Sequence, residues 1–348
     1  MPMLLERIEI EGFKSIREMA LDLRPINVLI GANGSGKSNF ISVFTLLQRL
    51  TEGRLRQYVA TMGGANALLH HGRKRTSSLR LMLTMPSRER RPYRLEFEPS
   101  ADDSLVVADE AALPREQGSD SLRVDIEVAF DRLIAFGGLR VYHFHDTSVS
   151  ASVKQTQDIG DNAALRSDAA NLAAFLFLLR EKHPESYRRI VATVRLAAPY
   201  FDDFRLRPSP FNDQKILLEW SERDSDDYFN AHALSDGTLR FICLATLLLQ
   251  PKLPPMIIID EPELGLHPYA IQLLAGMVRS ASQKSQIILS TQSVTLVNQF
   301  TPEDLVIVDR QDRASTFHRP TAEETASWLE SYSLGELWEK NVLGGRPG

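Results

Sequence analysis

Asn27 to Phe40, NVLIGANGSGKSNF, constrains this chain more than any other stretch. Val28, Leu29 and Ile30 make a short apolar run of strand type. Phe40, Val43, Phe44, Leu47 and Leu50 recur at helical spacing after it. Between them lies Gly31-Ala32-Asn33-Gly34-Ser35-Gly36-Lys37-Ser38, a full match to G-x-x-x-x-G-K-[ST]. Glycines let the backbone curl until its N–H groups converge on phosphate oxygens, and the following helix adds its positive N-terminal end. Lys37 can reach the outer phosphates, and the Ser38 hydroxyl suits the magnesium that accompanies them. Asn33, Gly34, Ser35, Gly36, Lys37, Ser38 and Asn39 are therefore the expected contacts of a nucleoside triphosphate, ATP. The alternative, a chance glycine-rich turn, is disfavoured by the strand before it and the amphipathic helix after it.

The rest of the composition sets limits. At 348 residues the chain can bury a large core, as one big domain or two ordinary ones. Its apolar fraction of 43% and charged fraction of 24% are those of a soluble globular protein. Its one cysteine, Cys243, excludes an internal disulfide and a cysteine-based metal site, and fits a reducing compartment. The N-terminus, MPMLLERIEIEGFK, has no apolar signal core, and the longest apolar runs, about ten residues, are too short to span a bilayer. A cytoplasmic protein without membrane contact is expected.

Along the chain, Leu4 to Ile10 alternates as a half-exposed strand. Short strand-like runs follow at Leu79 to Leu83, Tyr93 to Phe97, Leu105 to Val107, Val124 to Ala129 and Leu139 to Phe144, predicting an antiparallel subdomain. Ala163 to Leu179 and Glu185 to Ala197 read as helices, Phe204 to Arg207 and Lys215 to Trp220 as strands. The last third alternates helix (Gly237 to Leu249, Pro268 to Ser280) with apolar strands (Met256 to Ile259, Gln286 to Ser290, Asp304 to Val308). This pattern predicts an α/β fold: a phosphate-loop NTPase with a mostly parallel sheet, an antiparallel β-subdomain and a helical lobe. One domain over 1–348 is expected, with lobes at 1–148, 149–233 (mainly helical) and 234–348. No heptad run falls between Lys37 and Ser235, so no long coiled coil is expected.

The strand Met256–Ile259 ends in Asp260-Glu261, at the strand end where α/β sheets bind ligands. Asp260 would hold magnesium, and Glu261 would polarise the water attacking the γ-phosphate. The competing view is a strand-end acid that only caps the next helix. Leu234-Ser235-Asp236-Gly237-Thr238 opens the next apolar helix, and Ser235 lies 25 residues before Asp260. Ser235 and Gly237 there can form a second small anion site, or an ordinary N-cap. One γ-phosphate does not need two such sites from one chain, so a head-to-tail pair of chains is a natural arrangement.

Taken in order, GANGSGKSN, LSDGT, IIIIDEPELGLHP and STQS resemble an ABC-type ATPase head: Walker A, signature, Walker B with D-loop, and switch. The N-terminal GFKS resembles the RecF, SMC and OLD branch. The SDGT signature, VYHFHDTS and the tail LGELWEKNVLGG resemble bacterial stand-alone ATPases of that branch, some of whose relatives serve anti-phage defence systems. The resemblance covers essentially the whole chain. It implies a homodimer clamped by two ATP molecules, with Ser235 and Gly237 of one copy facing Gly34 to Ser38 of the other. Glu261 would be the hydrolytic glutamate, and Glu263 to His267 the D-loop. Asp236 stands where a glycine is usual and Thr238 where Gln or Glu is usual. The switch position, usually histidine, is Gln292, which can bond a γ-phosphate but cannot carry a proton. His145 is the expected stand-in for a missing Q-loop glutamine, although His143 and His145 could equally make structural hydrogen bonds.

Residues 71–94 carry eight basic side chains against one acid, +7 in a chain of net charge −5. In RecF-like proteins the antiparallel lobe meets DNA. Arg73, Lys74, Arg75, Arg88, Arg90, Arg91 and Arg94 are therefore candidate contacts to a duplex backbone, or else solvated hairpin edges kept apart by charge. Three functions stay open: a slow ATPase dimer acting on DNA or a partner effector, an ATP-operated interaction module without turnover, and a transporter ATPase subunit, which GFKS disfavours. About fifty residues follow Phe300, so any cutting or toxic activity is expected on a separate polypeptide.

Overall fold

The computed structural model describes residues 5–86, 92–112, 139–329 and 331–345. It falls into two units: Met1–Val141, Pro254–Ile258 and Ser285–Gly348 form the first, Tyr142–Leu253 and Ile259–Lys284 the second.

The first unit is built on two sheets. Continuous apolar runs make the six-stranded one, in the order Ala314–His318, Leu305–Gln311, Ile26–Ile30, Gln286–Thr291, Met256–Asp260, Leu139–Tyr142. All five residues of Ile26–Ile30 and all six of Gln286–Thr291 are buried, as expected of strands covered on both faces. Ile26–Ile30 pairs in parallel with both neighbours, and Ala314–His318 closes one edge as an antiparallel hairpin. The second sheet is antiparallel throughout: Ile16–Asp22, Arg7–Phe13, Leu79–Thr84, Pro92–Pro99, Leu105–Ala112. Its strands alternate, so Ile8, Ile10, Leu81, Leu83, Leu95 and Phe97 face the core while Glu9, Glu11, Arg80 and Glu96 do not. The helix Lys37–Thr51 packs Phe40 and Phe44 into the same core, their rings edge-to-face with centroids 5.3 Å apart. At 15 residues it is the longest helix among the described residues, which hold no coiled coil.

The second unit groups the helices Leu172–Lys182, Pro184–Ala197, Asp236–Leu249 and Pro268–Ala281 with two small antiparallel sheets. Phe201, Phe204 and Trp220 form its buried aromatic cluster. Three local expectations shift. The helix expected from Ala163 starts at Leu172, because Asn171 spends its side chain on the preceding loop. It accepts from the Arg166 N–H at 2.9 Å and donates to the carbonyls of Asp161 and Ala164. The strand expected at Phe204 to Arg207 is Phe201–Phe204, whose ends are both buried. Lys215 to Trp220 is two strands, Asn212–Ile216 and Glu219–Glu222, which join different sheets. The run Val124 to Ala129 lies outside the described residues.

Among the described residues no helix is long and apolar enough to cross a membrane.

Candidate nucleotide site

In the first unit the phosphate loop follows directly from the buried strand Ile26–Ile30. Three of its glycines have positive φ: Gly31 (154°), Gly34 (78°) and Gly36 (121°). Close approach also demands two of them. A Cβ on Gly31 would fall 2.1 Å from the Val308 carbonyl oxygen, and one on Gly36 would fall 2.1 Å from Ser315 Oγ. Asn33, Gly34 and Ser38 are exposed, whereas Ser35, Gly36 and Lys37 are buried. Lys37 folds back over the loop, its ammonium donating to the carbonyls of Gly31 (2.6 Å) and Ala32 (3.0 Å). Ser35 Oγ is buried without a hydrogen-bond partner among the described residues.

Three elements hold the loop from behind, none of them visible in the motif. Ser315 donates to the Ser35 carbonyl at 2.5 Å and lies 2.6 Å from Ser15 Oγ; Ser15 also accepts from Asn39 Nδ2 at 2.6 Å. Asn39 therefore turns toward the turn of the Arg7–Phe13/Ile16–Asp22 hairpin. Arg310 reaches the Gly34 carbonyl at 3.5 Å, and the Gly345 carbonyl accepts from the Ala32 N–H at 2.7 Å. Short polar residues carry these contacts across up to 300 positions of sequence, a separation that no local pattern reports. The switch residue belongs to the same unit. Thr291 pairs with Ile30 in parallel register, so exposed Gln292 follows beside the start of the loop.

The candidate basic residues divide. Arg73 pairs with Asp103 at 3.4 Å, and Arg94 pairs with Asp109. Lys74 and Arg75 are exposed beside His71, whose pKa the neighbouring His70, then Arg75, Arg313 and Arg310, hold below the ordinary histidine value. Arg88, Arg90 and Arg91 lie outside the described residues.

The second unit carries the acidic residues and the signature. Asp260 and Glu261 are both half-buried, and Glu261 has φ 41°, a left-handed conformation that an L-residue with a long side chain rarely adopts. His145 Nε2 lies 2.9 Å from the Asp260 carbonyl oxygen. A carbonyl only accepts, so Nε2 carries the proton and Nδ1 of the neutral ring is left as an acceptor. Ser235 caps the helix Asp236–Leu249 by accepting from the Thr238 N–H at 3.2 Å, and Asp236 lies 3.9 Å from the buried Lys154 ammonium. Gly237 is required by contact: a Cβ there would fall 2.2 Å from the Gly265 carbonyl oxygen. Arg240 ties this helix to two loops, donating to the carbonyls of Phe144 (3.2 Å), His145 (2.8 Å) and Leu264 (2.9 Å). Ser235, Gly237, His145, Asp260 and Glu261 are thus held within one unit. Sequence reasoning missed Arg240 and Lys154, whose roles depend on which carbonyls the fold brings to them.

Comparison with known proteins agrees with this architecture. Residues 26–298 match the family described as "AAA domain, putative AbiEii toxin, Type IV TA system". The Escherichia coli protein described as "Uncharacterized protein YbjD" is 26% identical, over 98% of this chain and 72% of its own length. The DNA replication and repair protein RecF of Acidothermus cellulolyticus is 37% identical over 84 residues, 23% of this chain and 22% of RecF. Among solved structures, an Smc head bound to the C-terminal winged-helix domain of ScpA superposes with a TM-score of 0.64 at 17% identity, covering 93% of this chain and 99% of that one. A second Smc head, with an extended coiled coil and bound to the C-terminal domain of ScpA derived from Pyrococcus furiosus, gives 0.59 at 14% identity, covering 94% and 98%. The fold is that of an SMC-type ATPase head.

Proposed function

The chain belongs to this AAA-domain family, and we propose that it binds and slowly hydrolyses ATP as a homodimer with two composite sites. The supporting observation is the Gly31–Ser38 loop: strained glycines, a buried lysine bonded only 2.6 Å from a loop carbonyl, and a buried Ser35 hydroxyl without a partner. Such a loop presents converging N–H donors to a polyphosphate, and Lys37 exchanges carbonyl oxygens for phosphate oxygens when the nucleotide enters.

Magnesium arrives with ATP as part of the substrate. Ser38 and Asp260 are the oxygen donors assigned to it, Glu261 orients the attacking water, and Gln292 bonds the γ-phosphate. Ser235 and Gly237 of one copy complete the site of the other. His145, with Nδ1 available as an acceptor, can hold a water beside the Asp260 backbone. Because Gln292 cannot take a proton, turnover is slow and nucleotide state is the main output. That state is coupled to duplex DNA through Arg73, Lys74, Arg75, Arg88, Arg90, Arg91 and Arg94, or to a separate effector, as in repair or phage-defence ATPases. The RecF likeness supports the first, and the family's toxin–antitoxin description the second. A reducing cytoplasm suits the single buried Cys243.

Steady-state ATP turnover of the wild type against Glu261→Gln, with mass determination in ATP and magnesium, tests this reading. The expected result is a dimer whose measurable turnover the variant loses. A wild type no faster than Glu261→Gln, yet dimeric with ATP, supports the interaction-module reading that Gln292 favours.

A further inference from the structure

Residues 334–345 touch the phosphate loop and the segment after Gln292 at once. They open with the short helix Leu334–Glu339, whose capping box pairs Ser333 with Glu336. Gly335 lays this helix on the helix Val294–Val297. A Cβ at 335 would fall 2.4 Å from Val294 Cγ1, and the Gly335 N–H donates to Asn298 Oδ1 at 2.6 Å. Val294 lies two residues beyond Gln292. Leu334, Leu337 and Trp338 are buried and anchor the segment. The Val342 N–H then donates to the Leu337 carbonyl at 2.9 Å and turns the chain back toward the loop.

At the far end Gly344 and Gly345 have φ of 83° and 78°. The Gly345 carbonyl accepts from the Ala32 N–H at 2.7 Å. A Cβ on Gly345 would lie 3.4 Å from Gly31 Cα and from the Val308 carbonyl oxygen, and 3.1 Å from Ile307 Cγ2. Only glycine meets both demands, left-handed backbone and close approach. Gly31 is thereby enclosed between Gly345 and the strand Leu305–Gln311, at the residue where the phosphate loop leaves its own strand.

We infer that residues 334–345 are a strap belonging to the nucleotide site, with Gly345 as a positioning residue for the phosphate loop and Gly335 as its tether beside the switch. This rests on the reading of Gly31–Ser38 as an ATP loop. Holding Ala32 and Gly31 in place removes conformations that the loop would otherwise have to lose on binding, so releasing the strap weakens ATP binding. Linkage then runs both ways: a strap that changes ATP affinity must itself be tightened by ATP by the same factor.

The test uses the full chain and a fluorescent ATP analogue with magnesium, titrated into wild type, Lys37→Ala and Gly345→Val. Amide hydrogen exchange over 334–345 is followed in wild type with and without ATP. The strap predicts a Gly345→Val affinity about 5–10-fold weaker, the worth of one lost hydrogen bond and some loop order. Its thermal midpoint without nucleotide should stay unchanged, and ATP should slow exchange over 334–345 in the wild type. Unaltered affinity in Gly345→Val together with ATP-independent exchange overturns the strap while Lys37→Ala still reports ATP binding. A wild type that binds no analogue overturns the ATP reading and the strap together. The exchange arm needs no variant, so it decides the matter even where Gly345→Val unfolds the protein.

Discussion

Arg240 donates from Nη1 to the Leu264 carbonyl at 2.9 Å, while its Nη2 holds the His145 carbonyl at 2.8 Å. One side chain on the signature helix thus fixes both the loop after the acidic pair and the loop carrying His145. A guanidinium can serve several carbonyls because its donors form a rigid planar fork; an ammonium cannot match them all. Arg240→Ala should destabilise the fold by about 1–3 kcal/mol, since it strips charge-assisted donors from several carbonyls at once. Arg240→Lys should recover only part of that. Urea unfolding of both variants measures the difference, and equal stability of wild type and Arg240→Ala would remove the bridging role.

Ser315 supports the phosphate loop from 280 residues away, through its bond to the Ser35 carbonyl. Ser315→Ala should lose about 1 kcal/mol of stability and weaken ATP binding several-fold, because the Ser35 carbonyl and the Ser15 hydroxyl each lose a partner. Gly36→Ala should be far worse for binding. Its methyl would overlap Ser315 Oγ, and φ of 121° is closed to alanine. Nucleotide titration with circular dichroism as a folding control separates the two effects.

Asp236 departs from the glycine usual in an ABC signature and is exposed, 3.9 Å from the Lys154 ammonium. An exposed pair at that distance contributes little, so Asp236→Gly should change stability by less than about 1 kcal/mol. Its effect should appear in ATP-dependent dimerisation and turnover, where the signature turn faces the partner's nucleotide. A change in melting temperature without a change in turnover would count against that placement.

Burial pushes the Cys243 thiol up to about 12. The folded state therefore keeps it protonated, and therefore unreactive, throughout the range from pH 6 to pH 9. Maleimide should label the native protein slowly at pH 8 and label it fully in denaturant. Because the folded pKa is raised, any contribution of this group to stability is present below its unfolded pKa and is lost only as the pH rises through the alkaline range. Fast labelling of native protein would show that the helix Asp236–Leu249 opens.

Arg319 is buried, and burial lowers its pKa to about 10. It donates to Asn27 Oδ1 (2.7 Å) and to the carbonyls of Asp22, Glu303 and Leu305. Arg319→Ala should cost about 3 kcal/mol or more, because buried acceptors from four separate segments lose their donor together. Chemical denaturation tests this directly.

Much of the fold was legible because its strands are simple. Met256–Asp260 and Gln286–Thr291 are apolar throughout and bounded by turn residues, so periodicity located them to within a residue. The helix Pro268–Ala281 announced itself with proline at its first position. Reading failed where side chains overrode the local pattern. Asn171 delays a helix by serving loop carbonyls, and the Lys215 to Trp220 run breaks because Ile216 and Trp220 are claimed by different sheets.

The glycine-rich loop, the acidic strand end and the SDGT turn are matters of sequence alone. Each depends on contiguous residues whose backbone freedom, charge or capping oxygen acts locally. The phosphate loop was the strongest of these, and its identity needed no structure. Its support was decided only in three dimensions. Ser15, Ser315, Arg310 and Gly345 reach it from across the first unit, through single hydrogen bonds and the space left by a missing Cβ. Such contacts involve common residue types at unremarkable positions, and nothing in a linear pattern distinguishes them until tertiary packing brings them within 3 Å or so of the loop they hold.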